Sequence, residues 1–155
     1  MLIAEVNGTT LHYTDQGEGL PIVFVHGIGA TLEMWKPQID KFAGRNRVIA
    51  IDARGVGKSG KLRGWTRIVE RQTRDLACLL EKLGIGKAVL CGVSYGGVFV
   101  QRFALDYPNL CQAVAIIDSY STTRPQNIRE WLWLINVYLG SALPPIYCLS
   151  GGCPP

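Results

Sequence analysis

Ala88-Val89-Leu90-Cys91-Gly92-Val93-Ser94-Tyr95-Gly96-Gly97-Val98-Phe99 is the stretch that decides the fold of this 155-residue chain. Its first four residues form an apolar run of the kind found in a strand covered on both faces. Over residues 95–107, Val98, Phe99, Arg102 and Phe103 recur at helical spacing. Between strand and helix stands a serine bracketed by glycines at G-x-S-x-G spacing. A chain that turns from strand to helix so abruptly strains its central residue and leaves its neighbours no room for side chains. The pattern predicts that Ser94 projects above a sheet at a helix N-terminus, where the positive end of the dipole favours a developing oxyanion. A serine that merely caps the helix is the plainer alternative, and the strand and helix on either side favour the sharp turn.

Outward from this stretch, residues 2–16 read as a hairpin, because two short alternating runs flank Asn7-Gly8, a dipeptide suited to positive φ. Residues 21–25 and 47–51 are further buried-strand runs, and residues 114–117 supply another strand. Leu32, Trp35, Ile39 and Phe42 mark one helix. Ile68, Val69, Leu76, Leu79, Leu80 and Leu83 mark a second, from about residue 65 to residue 83, with Gly84 where a helix stops. Strand and helix alternate, which predicts an α/β fold: a layered, mostly parallel sheet with right-handed crossovers and an N-terminal antiparallel hairpin.

A second chemical signal is His26-Gly27-Ile28-Gly29, directly after the first buried strand. Acyl transfer needs backbone N–H donors aimed at the tetrahedral oxygen, and a glycine turn lets an amide face the site. The expected pair is the N–H groups of Ile28 and Tyr95. His26, at a strand end, is expected to hydrogen-bond locally and hold its loop rather than transfer protons. Gly57-Lys58-Ser59 has the look of a phosphate-loop tail, but the position five before its glycine is Asp52, where such a loop requires glycine. The basic residues around it, Arg54, Lys58, Lys61, Arg63, Arg67, Arg71 and Arg74, are expected on a solvated helix face with Glu70–Arg74 and Arg71–Asp75 as ion pairs four apart.

Three motifs, His26-Gly27-Ile28-Gly29, Asp52-Ala53-Arg54-Gly55-Val56-Gly57-Lys58-Ser59 and Gly92-Val93-Ser94-Tyr95-Gly96-Gly97, stand here in an order and spacing that resembles the α/β-hydrolase superfamily over about residues 6–121. The similarity is to its esterases, enol-lactonases, cofactor-free haloperoxidases and C–C bond hydrolases. It implies Ser94 as nucleophile and the amides of Ile28 and Tyr95 as oxyanion hole. A serine at this turn argues against the haloalkane dehalogenase and epoxide hydrolase branches, which carry aspartate there. Asp118, at the carboxyl end of a predicted strand, matches the acid position of some branches; the alternative is a carboxylate capping the next turn through Ser119 or Ser121.

The family also takes an imidazole from a loop after its last strand, and the only histidines here are His12 and His26. The resemblance therefore implies a C-terminally truncated form lacking the catalytic histidine. It divides into a core at 1–121, the start of a cap-like helical segment at 122–142, and an irregular Pro/Gly/Cys-rich tail at 143–155, with a premature stop, frame disruption or alternative ending as its origin. Two functions follow. One is a serine hydrolase of small ester- or lactone-like substrates. The other is a catalytically silent module acting in binding or protein interaction. The strand at 114–117 would then be an exposed sheet edge, through which self-association is expected.

A net charge of +4 without a basic reading face excludes nucleic acid as the expected partner. Residues 131–155 lack charge, but Asn136, Gly140 and Pro144-Pro145 interrupt them, so a membrane span is not expected. Trp131, Trp133 and Tyr138 point to an apolar cover and hence an apolar ester or lactone. No metal-ligand spacing or dinucleotide fingerprint is present, so no cofactor is expected. Cys78, Cys91 and Cys111 lie in apolar periodic segments and are expected buried and reduced, and no leader pattern opens the chain; a cytoplasmic location is expected.

Overall fold

The computed structural model describes residues 1–64 and 66–120, together with Ile128 and Leu132. The segments expected at 122–142 and 143–155, with Trp131, Trp133 and Tyr138, lie outside the described residues. Residues 1–120 fall within one compact unit, Met1–Ser121.

Six strands form one sheet: β1 (Leu2–Val6), β2 (Thr9–Gln16), β3 (Leu20–Val25), β4 (Asn46–Ile51), β5 (Ala88–Val93) and β6 (Cys111–Ile117), in the order β1-β2-β4-β3-β5-β6. The β1–β2 and β2–β4 pairs are antiparallel, whereas β4, β3, β5 and β6 run parallel. This is the α/β arrangement expected, with the hairpin at one edge. Its turn stands on Asn7 at φ 44° and Gly8 at φ 69°, the left-handed pair that this dipeptide tolerates best.

The helices are α1 (Lys36–Phe42), α2 (Ile68–Lys82) and α3 (Tyr95–Asp106). The helix expected to begin at Leu32 is divided: Leu32–Trp35 is a 3₁₀ turn and α1 follows it, with a proline in its first turn. Pro37 has no N–H to donate, so it fits a helix start but not a helix interior. The helix expected from about residue 65 starts at Ile68, after Arg67 in a left-handed conformation (φ 49°).

Both faces of the parallel sheet are covered. On one, Phe99 and Phe103 of α3 and Leu76, Leu79 and Leu80 of α2 pack over Val23, Val25, Ile49 and Leu90. On the other, Trp35 and Ile39 pack over Phe24, Val48 and Ala50, with Trp35 stacked on Phe24 at 4.7 Å between ring centroids. Each of the valine, leucine, isoleucine and phenylalanine side chains among them stabilises the fold by about 1.5–3 kcal/mol through removal from water. Of the cysteines expected to be buried, only Cys91 is; Cys78 and Cys111 are half-buried, because they sit at the rim of the first cluster. Among the described residues β6 is the edge strand opposite β1, and Val114, Ile116 and Ile117 are exposed along it. No helix among the described residues is long and apolar enough to cross a membrane.

The ion pairs expected along α2 are replaced by others. Asp75 is fully buried and takes Arg54, not Arg71, in two hydrogen bonds of 2.6 and 2.8 Å. Arg71 donates instead to the carbonyls of Arg63 and Gly64. Glu70 lies 3.5 Å from Arg102 of α3. Gln72, Thr73 and Asp75 are buried, so this stretch of α2 faces the protein and not solvent. A carboxylate inside the protein is stable only with a close, fully bonded cation, and the planar guanidinium of Arg54 provides one, while Arg71 is taken up by the two carbonyls.

Candidate active site

The carboxyl ends of the parallel strands gather the residues singled out from the sequence. β5 ends at Val93, Ser94 adopts φ 52° and ψ −118°, and α3 begins at Tyr95. Such a backbone is strained for a residue with a side chain, and it presents the exposed Ser94 hydroxyl at the helix N-terminus. The flanking glycines are required. A Cβ on Gly92 would meet the Gly96 carbonyl, and one on Gly96 would meet the carbonyls of Val25 and His26, both well inside van der Waals contact. The turn is pinned from β6: Ser94 N–H donates to the Ile117 carbonyl (3.0 Å), and Ser119 Oγ–H donates to the Ser94 carbonyl (2.6 Å).

β3 and β5 are adjacent, with Val25 opposite Gly92, so the loop after β3 arrives beside Ser94. A Cβ on Gly27 would stand 3.4 Å from Ser94 Cβ and 3.9 Å from Ser94 Oγ; a side chain there would crowd the hydroxyl. Ile28 follows, with its side chain exposed. Tyr95 is the first residue of α3, a position whose N–H has no intrahelical partner. Asp118 directly follows β6 and is exposed, with φ 42°. Of the two serines expected as capping partners for Asp118, Ser119 bonds the Ser94 carbonyl through its hydroxyl and Ser121 lies outside the described residues.

Neither histidine reaches Ser94. His26 is 2% exposed; its Nδ1 lies 2.8 Å from the Gly27 carbonyl, and Ala53 N–H donates to its Nε2 at 3.1 Å. A carbonyl can only accept and an amide can only donate, so both ring nitrogens are assigned and the ring is the neutral Nδ1–H form. That is the loop-holding role expected of it. His12, also buried, donates from Nδ1 to Asp52 at 2.7 Å.

Sequence reasoning missed two supports. Gln72 accepts the Tyr95 hydroxyl proton at 2.7 Å, and Asp52 accepts from Leu32 N–H at 2.8 Å as well as from His12. Both contacts join residues at least twenty positions apart, which no local spacing signals. Burial, followed by the nearby Tyr120 and Glu70, pushes the Tyr95 phenol from its ordinary 10.0 up to about 12. The folded protein thus keeps a proton that the unfolded chain releases. Its contribution to stability is whole below about pH 10 and is lost as pH rises through about 12. In urea titrations at successive pH values, the wild type is expected to lose stability more steeply across that window than Tyr95→Phe; parallel curves would contradict this.

The family model for the alpha/beta hydrolase fold matches residues 21–147. Over 112 residues the chain is 32% identical to (E)-2-((N-methylformamido)methylene)succinate hydrolase of Acinetobacter baylyi, covering 72% of this chain and 42% of that protein. It is 33% identical over 116 residues to bifunctional epoxide hydrolase 2 of Sus scrofa, covering 72% of this chain and 20% of that one. Among solved structures, a thermophilic esterase from Thermogutta terrifontis superposes with a TM-score of 0.78 at 29% identity, over 90% of this chain and 53% of the esterase. The chain thus spans less than half the length of these curated relatives. Strand order, the strained serine turn and the sequence match agree, and the chain belongs to the alpha/beta hydrolase fold family.

Proposed function

We propose that this chain carries the nucleophile-bearing part of a serine hydrolase for small ester- or lactone-like substrates. Ser94 is the nucleophile, the N–H groups of Ile28 and Tyr95 are the oxyanion donors, and Asp118 is the carboxylate of the site. The observation that carries this is the exposed Ser94 at positive φ on the β5–α3 turn, with the Gly27 loop packed beside its hydroxyl. Attack of Ser94 Oγ on the carbonyl carbon forms the C–O bond and moves the carbonyl pair onto oxygen, where two amides and the helix N-terminus stabilise it. The esterase likeness supports an ester substrate. The epoxide hydrolase likeness supports the family only, since position 94 holds serine and not the carboxylate of that branch.

The same attack must pass the Ser94 proton to a base. His12 and His26 are the chain's two histidines, and both are engaged elsewhere. That observation favours a second reading, a hydrolase fold acting in binding or protein interaction without turnover.

Treatment with a fluorophosphonate probe followed by peptide mapping tests the first reading. Ser94 is expected to be labelled, and Ser94→Ala to abolish the adduct. Labelling of this chain should be slow, because both of its histidines bond groups other than Ser94 and a positioned general base contributes a factor of about 10²–10⁴. Adducts on other serines with Ser94 untouched would sink the assignment. Brisk aryl acetate turnover that His26→Ala abolishes in a folded protein would instead make His26 the base. Turnover by wild type no faster than by Ser94→Ala would select the silent module.

A further inference from the structure

The two N–H groups proposed as oxyanion donors sit on different elements, one in the loop after β3 and one at the start of α3. A pair of donors works only when both lie about 2.7–3.1 Å from the same oxygen, so their spacing must be held. Pairing of β3 with β5 fixes Val25 against Gly92, but Ile28 lies beyond the end of β3 and needs ties of its own.

Those ties come from three consecutive residues after β4. Asp52, buried, accepts Leu32 N–H on Oδ1 (2.8 Å) and is itself held on Oδ2 by His12 Nδ1–H (2.7 Å) and Lys58 N–H (3.2 Å). Ala53 N–H donates to His26 Nε2, and His26 Nδ1–H donates to the Gly27 carbonyl. The loop bearing Ile28 is therefore clamped at both ends by adjacent residues. Arg54 then provides the connection to the other donor: its carbonyl accepts Gln72 Nε2–H (2.9 Å), and Gln72 Oε1 accepts Tyr95 O–H (2.7 Å). Arg54 cannot drift, because its guanidinium is held by Asp75 and by the Asn7 carbonyl.

We infer that Asp52-Ala53-Arg54 is a strut that sets the spacing between the Ile28 and Tyr95 amides, and that Gln72 is the positioning residue carrying it to the serine turn. This rests on reading those amides as oxyanion donors. Gln72 suits the task, since its one amide offers a donor to a carbonyl and an acceptor to a phenol, and only one orientation satisfies both.

The test compares wild type, Gln72→Leu, Tyr95→Phe and the double variant. Two quantities are read: the maximal rate and half-saturating concentration of fluorophosphonate labelling at Ser94, and the amide ¹⁵N–¹H signals of Ile28 and Tyr95. Each single change is expected to lower the maximal rate about tenfold, an effect in keeping with a donor displaced by a fraction of an ångström, at an unchanged half-saturating concentration. The double variant should be no slower than either single, because both break one connection. Gln72→Leu should also move the Ile28 signal, across the strut. An unchanged rate, losses that multiply in the double variant, or a stationary Ile28 signal would each overturn the inference. If wild-type Ser94 takes no label, the nucleophile reading fails, and the Ile28 signal alone still decides the strut. If Gln72→Leu does not fold, Tyr95→Phe, which removes only a hydroxyl, supplies both readouts.

Discussion

Asp75→Ala is expected to lower the stability of the chain by about 3–5 kcal/mol, the usual cost of removing one partner from a buried ion pair. The Asp75 side chain is 1% exposed and that of Arg54 is 12% exposed, so little water reaches either. Asp75 receives two bonds from Arg54 and a third from Asn7 Nδ2 at 2.8 Å. With Asp75 gone the bond that raises the Arg54 pKa goes too, but a guanidinium stays protonated at any accessible pH, so Arg54 cannot escape the loss by giving up its proton. Truncation leaves the Arg54 charge with the Asn7 carbonyl in place of a carboxylate, and the Asn7 amide without its Asp75 acceptor. Arg54→Met combined with Asp75→Leu is expected to recover much of the loss, since it removes both charges at once. Urea midpoints, compared at constant slope, measure this. A cost for Asp75→Ala below about 1 kcal/mol would place the pair with solvated surface pairs.

The same pair shows where reading a sequence stops. Apolar positions on α2 were legible because burial of Leu76, Leu79 and Leu80 imposes the helical period. The polar positions were assigned outward by default, with Arg71–Asp75 chosen because four residues along a helix bring side chains together. In the fold, Asp75 turns inward to a cation 21 positions away on a loop, and Gln72 reaches Tyr95 at a separation of 23. Such partners exist only once the sheet has brought the β4 end, α2 and α3 together. The serine turn was legible for the opposite reason. Its residues, a strand, a strained serine, close-packed glycines and a helix, fall within a dozen consecutive positions, although the contact that requires Gly96 is with the end of β3. The loop-holding role of His26 lies between these cases: its place at a strand end indicates a local bond, which is the one to Gly27, but not the partner Ala53, just past the end of the adjacent strand β4.

Gly96→Val is expected to be as damaging as the loss of Asp75, about 3 kcal/mol or more, and to remove Ser94 labelling with it. At this position even a methyl group would collide with the Val25 and His26 carbonyls, which are backbone and belong to the end of β3 and the start of the Ile28 loop. A flexible side chain could swing aside, but a carbonyl in a paired strand moves only with the strand. The first turn of α3 must therefore lift away from β3. That shift would separate Tyr95 from the loop carrying Ile28, so the chemistry would suffer even where some fold survives. Gly44→Ala separates this effect from the general consequence of changing a glycine, because a Cβ there meets nothing within 4 Å and no positive φ is involved. It is expected to alter stability by no more than about 0.5 kcal/mol and to leave labelling of Ser94 unchanged. Thermal unfolding followed by circular dichroism, with labelling measured on the folded fraction, distinguishes the outcomes. A Gly96→Val protein that melts with wild type and labels at the wild-type rate would mean that α3 does not approach β3 as closely as the fold requires.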